Sequence, residues 1–191
     1  MSKSYPVIPV LVLFALFIGA CTQKPSEAIS QKTKQPESAI KIPSHYLTFN
    51  SDLYTISHPP DWEVENFGHF VHFKTPFEGP NDELQDNVAV YATSLEPQNQ
   101  TLIELFEKSV EALVETTPGF ALIEHKEIGL SSAPAQRIIY SDEDGLRKHQ
   151  YMQVFMVKDG KAFVFTYTAA AENYEKYFAD ANAIINSFKV K

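Results

Sequence analysis

Cysteine is almost missing from this chain: its 191 residues include one, Cys21. An intramolecular disulfide and a cysteine-based zinc site are therefore excluded. Glycine is sparse, with seven residues. Within the globular part no two lie closer than Gly119 and Gly129, so a glycine-rich phosphate loop is excluded as well. Basic charge is short, with 16 Lys+Arg against 24 Asp+Glu and a net charge of −8. That balance argues against nucleic acid as a partner, because neutralising phosphates needs a basic surface. No Gly-x-Ser-x-Gly nucleophile elbow occurs. What is plentiful is aromatic: nine Tyr, fourteen Phe and one Trp, enough for a packed core.

The N-terminus reads as an address. Lys3 supplies a positive start, and Val7 to Ala20 is an uncharged, mainly apolar run. Its fourteen residues would reach ~21 Å as a helix, short of the ~30 Å hydrocarbon core. That length suits the apolar region of a signal peptide, residues 1–20. Ile18-Gly19-Ala20-Cys21 looks like a lipobox, the motif of bacterial lipoprotein precursors. Small residues suit a narrow peptidase site, and the thiol can carry diacylglycerol through a thioether. The expected cut falls between Ala20 and Cys21, with acyl groups added to the new N-terminus. Several buried chains then hold the protein on a bilayer at ~0.8 kcal/mol per CH₂. Thr22, in place of an inner-membrane-retaining Asp, favours the outer membrane if the source has one.

Residues 21–44 form the lipidated start and a flexible tether, rich in Pro, Ser, Lys and Gln and poor in apolar side chains. From residue 22 the tether carries four Lys and two Glu, whereas residues 45–191 carry 11 basic and 22 acidic side chains. The acidity thus belongs to the domain.

Within residues 45–191 the pattern predicts strands over Tyr46–Asn50, Leu53–Ser57, Phe70–Lys74, Val88–Leu95, Phe120–His125, Gln136–Ser141, Leu146–Val157 and Ala162–Thr168. Asp142-Glu-Asp-Gly145 and Asp159-Gly160 predict hairpin turns. Thr101-Leu-Ile-Glu104 matches a capping box, opening a helix with Leu102, Leu105, Phe106, Ser109, Val110 and Leu113 on one face. Pro118-Gly119 ends it. A second helix over 172–188 carries Tyr174, Tyr177, Phe178, Ala181, Ile184, Ile185 and Phe188 on one face. Val154 and Met156 oppose Phe155 and Val157, so the sheet is apolar on both sides and needs cover on both. Tight hairpins demand antiparallel pairing. The expected fold is α+β, a central antiparallel β-sheet covered by helices.

Chemistry-bearing residues are scattered. His69 and His72 are three apart, so on a strand they point to opposite faces and do not make a metal pair. His58 reads as a turn residue beside Trp62. Glu78, Asp82, Glu83 and Asp86 crowd one loop, which reads as a solvated acidic loop, with calcium as the alternative occupant. Asp142-Glu143-Asp144 is explained by its hairpin turn, and Ser131-Ser132 sits in a turn with no evident partner. Glu104, Glu107, Glu111 and Glu115 form an acidic helical stripe, with Lys108 a supporting partner for Glu104. The stripe is a solvated face or a contact for a basic partner protein.

Several phrases resemble the PsbP-like family: Tyr54-Thr-Ile-Ser-His-Pro-Pro-Asp-Trp62, Phe73-Lys-Thr-Pro76, Asn87-Val-Ala-Val90, Leu130-Ser-Ser-Ala-Pro-Ala135 with Tyr140, and Ile184-Ile-Asn-Ser-Phe188. The resemblance spans about residues 46–190. It implies an α/β/α sandwich around an antiparallel sheet of six or more strands. It also implies a non-enzymatic, membrane-associated accessory or assembly role. No cofactor is expected beyond the lipid carried by Cys21. The lipobox points to the non-photosynthetic branch, and a photosystem II extrinsic role is the alternative for a photosynthetic source. The expected partners are the lipid bilayer through Cys21 and an envelope protein. A small ligand or a divalent cation such as calcium is the competing expectation.

Overall fold

A computed structural model describes residues 40–79, 85–95, 99–143 and 148–191, all within the unit Pro36–Lys191. The signal peptide, Ala20, Cys21 and most of the tether lie outside these residues, as do Asp82, Glu83 and Asp144. In chain order the strands are β1 (Leu47–Asn50), β2 (Tyr54–His58), β3 (Glu63–Asn66), β4 (Phe70–Lys74) and β5 (Asn87–Ser94). Helix α1 (Leu102–Thr116) follows, then β6 (Ala121–Leu130), β7 (Ala133–Glu143), β8 (Lys148–Lys158) and β9 (Lys161–Ala170). Helix α2 (Tyr174–Asn186) and β10 (Lys189–Val190) end the chain.

Seven strands form one antiparallel sheet in the order β3-β4-β5-β9-β8-β7-β6. The two-sided apolar pattern of its central strands dictates what lies above and below. On one face Met152, Val154, Met156, Phe163, Phe165 and Tyr167 pack with Val88 and Val90 against Ile184, Ile185 and Phe188. On the other, Ile138, Tyr140 and Phe155 meet Leu113, Phe106 and Val110 of α1. The result is the expected α/β/α sandwich. Each fully buried Phe contributes roughly 1.5–3 kcal/mol from its removal from water.

The layer beside α2 holds more than a helix. β1, β2 and β10 make a separate three-stranded sheet whose Tyr54 and Ile56 join the main core. Burial pushes the Tyr54 hydroxyl up to about 12. Phe188, expected on the last helix, follows its end: Ser187 caps α2 through its backbone N–H to the Ala183, Ile184 and Ile185 carbonyls. The Phe188 ring still packs on Phe165, with ring centroids 4.8 Å apart.

The β6–β7 hairpin is longer than the sequence pattern indicates. Its two-residue turn is Ser131-Ser132, with φ of 50° and 60°. Both residues are left-handed without being glycine, the geometry of a type I′ turn whose twist matches its strands. Ser131 is not partnerless: its carbonyl accepts from Lys158 Nζ at 3.1 Å, and its hydroxyl oxygen from the Val190 N–H at 3.4 Å. Pro134 falls opposite Gly129, where the β7–β8 register has already ended at Ala135, so its missing N–H costs no bond to β8. Asp159-Gly160 forms the expected turn between β8 and β9, with φ of 52° and 70°.

Candidate functional site

Helix α1 positions the acidic stripe. Thr101 accepts the Glu104 N–H at 3.2 Å, and Glu104 Oε2 accepts the Thr101 N–H at 2.8 Å. The capping box therefore forms as the sequence indicates. It also takes Glu104 out of the stripe as a free contact. Thr101 backbone and side-chain hydrogen bonds hold the Glu104 carboxyl below the usual carboxylate range. Glu107, Glu111 and Glu115 are exposed, and among the described residues none forms an ion pair. They recur at spacings of four, so they share one outward face. Leu105 and Leu113 on the opposite side are buried.

Of the acidic loop, Glu78 and Asp86 lie within the described residues. Glu78 reaches across to α2, where Lys176 and Tyr177 both donate to it. Those two bonds, Lys176 first, lower the Glu78 carboxyl from its ordinary value. Tyr177 in turn meets Trp62 edge-on at 5.8 Å. Asp86 is buried, and its backbone carbonyl accepts from Thr75. Among the described residues no three His, Asp or Glu side chains converge to hold a metal ion.

The histidines do separate work. His58 is buried, with Nδ1 2.8 Å from the Pro59 carbonyl, and its ring packs on Phe73 rather than Trp62. His72 faces Glu65 at 3.9 Å; burial lowers its basicity and the Lys74 charge adds to this, against the Glu65 carboxylate. His125 lies 2.8 Å from Gln136 Oε1 and stacks on Phe106 at 4.7 Å.

One cluster escapes a reading of the sequence that stops at turns. Asp142 belongs to β7 and is buried. Its Oδ1 accepts the His149 N–H at 3.1 Å and lies 2.9 Å from His149 Nδ1, while Tyr151 donates to Oδ2 at 2.7 Å. Tyr151 stacks on Tyr140 at 4.7 Å. The signal was available: once the β7–β8 hairpin is centred on its turn, Asp142 falls opposite His149 and Tyr140 opposite Tyr151. A carboxylate with three donors orients its neighbours and fixes one end of the sheet.

The described residues thus present an acidic row on the outer side of α1 and polar clusters bonded within the domain. The family described as PsbP-like protein matches residues 7–190. No curated protein matches the chain. Among solved structures, cyanobacterial PsbP (CyanoP) from Synechocystis sp. PCC 6803 has a TM-score of 0.55 at 16% identity, covering 78% of this chain and 94% of that one. A protein of unknown function from Pseudomonas aeruginosa, PA94, described as a putative regulator, has a TM-score of 0.51 at 16% identity, with coverages of 71% and 90%. LpqN of Mycobacterium tuberculosis, involved in cell envelope biogenesis, has a TM-score of 0.51 at 15% identity, with coverages of 72% and 83%. At such identities these structures speak to the fold, and the family match extends over nearly the whole sequence. The chain belongs to the PsbP-like protein family.

Proposed function

We propose that this protein is a lipid-anchored, non-enzymatic accessory protein of the cell envelope, acting by protein–protein contact. The observation that carries the reading is the outer face of α1, where Glu107, Glu111 and Glu115 stand exposed without ion pairs among the described residues. Such a face suits a basic partner surface, since opposite potentials steer encounter and fix orientation. The Ile18-Gly19-Ala20-Cys21 phrase supplies the attachment, with diacylglycerol and acyl groups on Cys21. The family match takes in that segment, since it begins at residue 7. Among the described residues no helix is long and apolar enough to cross a membrane. LpqN, similar in fold, is involved in cell envelope biogenesis, and an envelope setting is the one proposed here.

Two measurements test this. A Cys21→Ser variant should lose membrane partitioning and accumulate at precursor size; unchanged partitioning and size would remove the lipid anchor. Crosslinking in native membranes should give partner adducts that vanish in a Glu107→Lys, Glu111→Lys variant. Adducts that persist would reject the α1 face.

A further inference from the structure

Exposed apolar side chains are not spread evenly over the domain. Among the described residues seven large ones stand exposed, and four of them, Ile103, Val114, Leu122 and Ile123, belong to α1 and β6. Only residues 117–120 separate these two elements, and Phe106 of α1 stacks on His125 of β6. Leu122 pairs with Tyr140 and His125 with Ile138, so both point to the side of the sheet that α1 covers. Ile123 is passed over in that ladder as the extra residue of a β-bulge, and it stands exposed beside Leu122.

The acidic row borders this apolar surface. On α1, Ile103 and Val114 lie within ~20° of each other and ~16 Å apart along the axis. Phe106 lies ~60–80° to one side of them, toward β6. Glu107 lies ~20–40° to the other side, and Glu111 ~60–80°. Glu107, Glu111 and Glu115 are exposed and form no ion pair among the described residues. Lys108, the one cation of α1, lies beyond the acidic row from Ile103. Lys126, the one lysine of β6, shares the opposite side of the sheet with Glu124 and Arg137. Glu127 is exposed and falls on the α1 side, opposite Gln136.

We infer that the α1–β6 face takes a basic amphipathic helix of a partner protein. Its apolar stripe seats on Ile103, Val114 and Leu122, and its Lys/Arg flank meets Glu107, Glu111 and Glu115. The inference rests on the proposed acidic docking face and adds what that face receives. A second copy of this chain would meet the row with the same cation-poor surface, and an anionic bilayer is repelled by it. An extended segment turns alternate side chains to opposite faces, so it cannot set an apolar and a basic row side by side. A helix does so, with apolar residues at i, i+3, i+4 and i+7 and cations on the adjoining flank. Cations at every fourth position rise ~6 Å per step, the same step as Glu107, Glu111 and Glu115. So short a helix is marginal in water, and the partner segment orders as it docks.

The test titrates the full chain, carrying Cys21→Ser, with a model peptide of Leu and Lys at helical spacing, about four turns long. Binding should saturate, and circular dichroism should show the peptide gaining helix. Ile103→Gln, Val114→Gln should weaken binding roughly ten-fold with charge unchanged. Both side chains are half exposed, so the fold and its thermal unfolding should not change. Glu107→Lys, Glu111→Lys should weaken binding at least as much. Glu172→Lys, Glu175→Lys, in and beside α2, changes net charge equally and should weaken it far less. An isomeric peptide with Leu and Lys in strict alternation should bind roughly ten-fold more weakly. Equal losses in the two charge variants overturn the inference, as does undiminished binding by the Gln variant or equal binding of the alternating peptide. Crosslinking in native membranes separates the two readings. Adducts kept in Ile103→Gln, Val114→Gln but lost in Glu107→Lys, Glu111→Lys overturn the helix and leave the acidic face standing. Adducts that persist in both overturn the face and the helix together.

Discussion

Arg137 Nη2 lies 2.9 Å from Glu124 Oε1, diagonally across the β6–β7 hairpin, and Arg137 is only 7% exposed. Lys126 Nζ approaches the other carboxylate oxygen at 2.5 Å. Glu124 therefore joins a buried and an exposed cation on one face. Removing it leaves a buried guanidinium without this carboxylate. Glu124→Ala should lower unfolding free energy by roughly 1–3 kcal/mol, at the lower end of buried-pair losses because the carboxylate is part-exposed. Glu124→Gln, which keeps an acceptor, should cost less. Urea unfolding of the three proteins checks the order.

Acid should weaken the fold through the same group. Burial opposes ionisation of Glu124, but the Lys126 and Arg137 hydrogen bonds and charges outweigh it and hold its carboxyl below the ordinary value. A carboxylate lowered on folding gives stability that is present above its unfolded pKa and lost as pH falls through the folded one. Stability should decline from about pH 5 downward, and Glu124→Gln should flatten that decline. Unfolding midpoints measured across the acid range decide it; parallel profiles would contradict the assignment.

The capping box separates Glu104 from its neighbours on α1. Thr101→Ala should cost ~1 kcal/mol, and Glu104→Ala should destabilise in the same direction. The double variant should lose less than the two single losses combined, because both remove one reciprocal unit. Glu104→Lys should leave partner crosslinks intact where Glu107→Lys, Glu111→Lys abolishes them.

Two glycines divide conformational from steric cost. Gly119 has φ of 65°, and an added Cβ would lie 3.1 Å from the backbone N and O of Glu143. Gly160 has φ of 70° and open space around it. Gly160→Ala should cost roughly 1–2 kcal/mol from the left-handed backbone alone. Gly119→Ala should cost more, because the α1–β6 turn must move away from β7. Thermal unfolding of both variants gives the difference; equal losses would mean that the turn yields freely.

Helix α1 was legible because every local signal agreed: cap, apolar spacing and a Pro-Gly stop. Strand β3 was not. Glu63-Val-Glu-Asn66 holds one apolar residue, and it becomes a strand because β4 offers a ladder and Lys74 takes up Glu65. The Ser131-Ser132 turn was hidden for another reason. Serine seldom adopts the left-handed region, and here bonds from Lys158 and Val190 hold it there. Asp142 looked like a turn residue because its partners, His149 and Tyr151, lie across a hairpin whose register depends on where the turn is centred. For the candidate site, the spacing of Glu107, Glu111 and Glu115 already placed them on one face. The capping-box match likewise marked Glu104 as a cap, and its contacts with Thr101 form accordingly.

By itself the sequence determined the element types, the need for cover on both sides of the sheet, and the exclusion of disulfide and phosphate-loop chemistry. These follow from short-range spacing and from residue types that are present or absent. The tertiary structure decided who neighbours whom. Val88 lies opposite Tyr167, and Val190 opposite Tyr54, with most of the domain between each pair. Strand order and the separate small sheet arise from such pairings. No local propensity encodes them, because a strand's backbone groups accept any suitable ladder, and only packing of the whole core selects one.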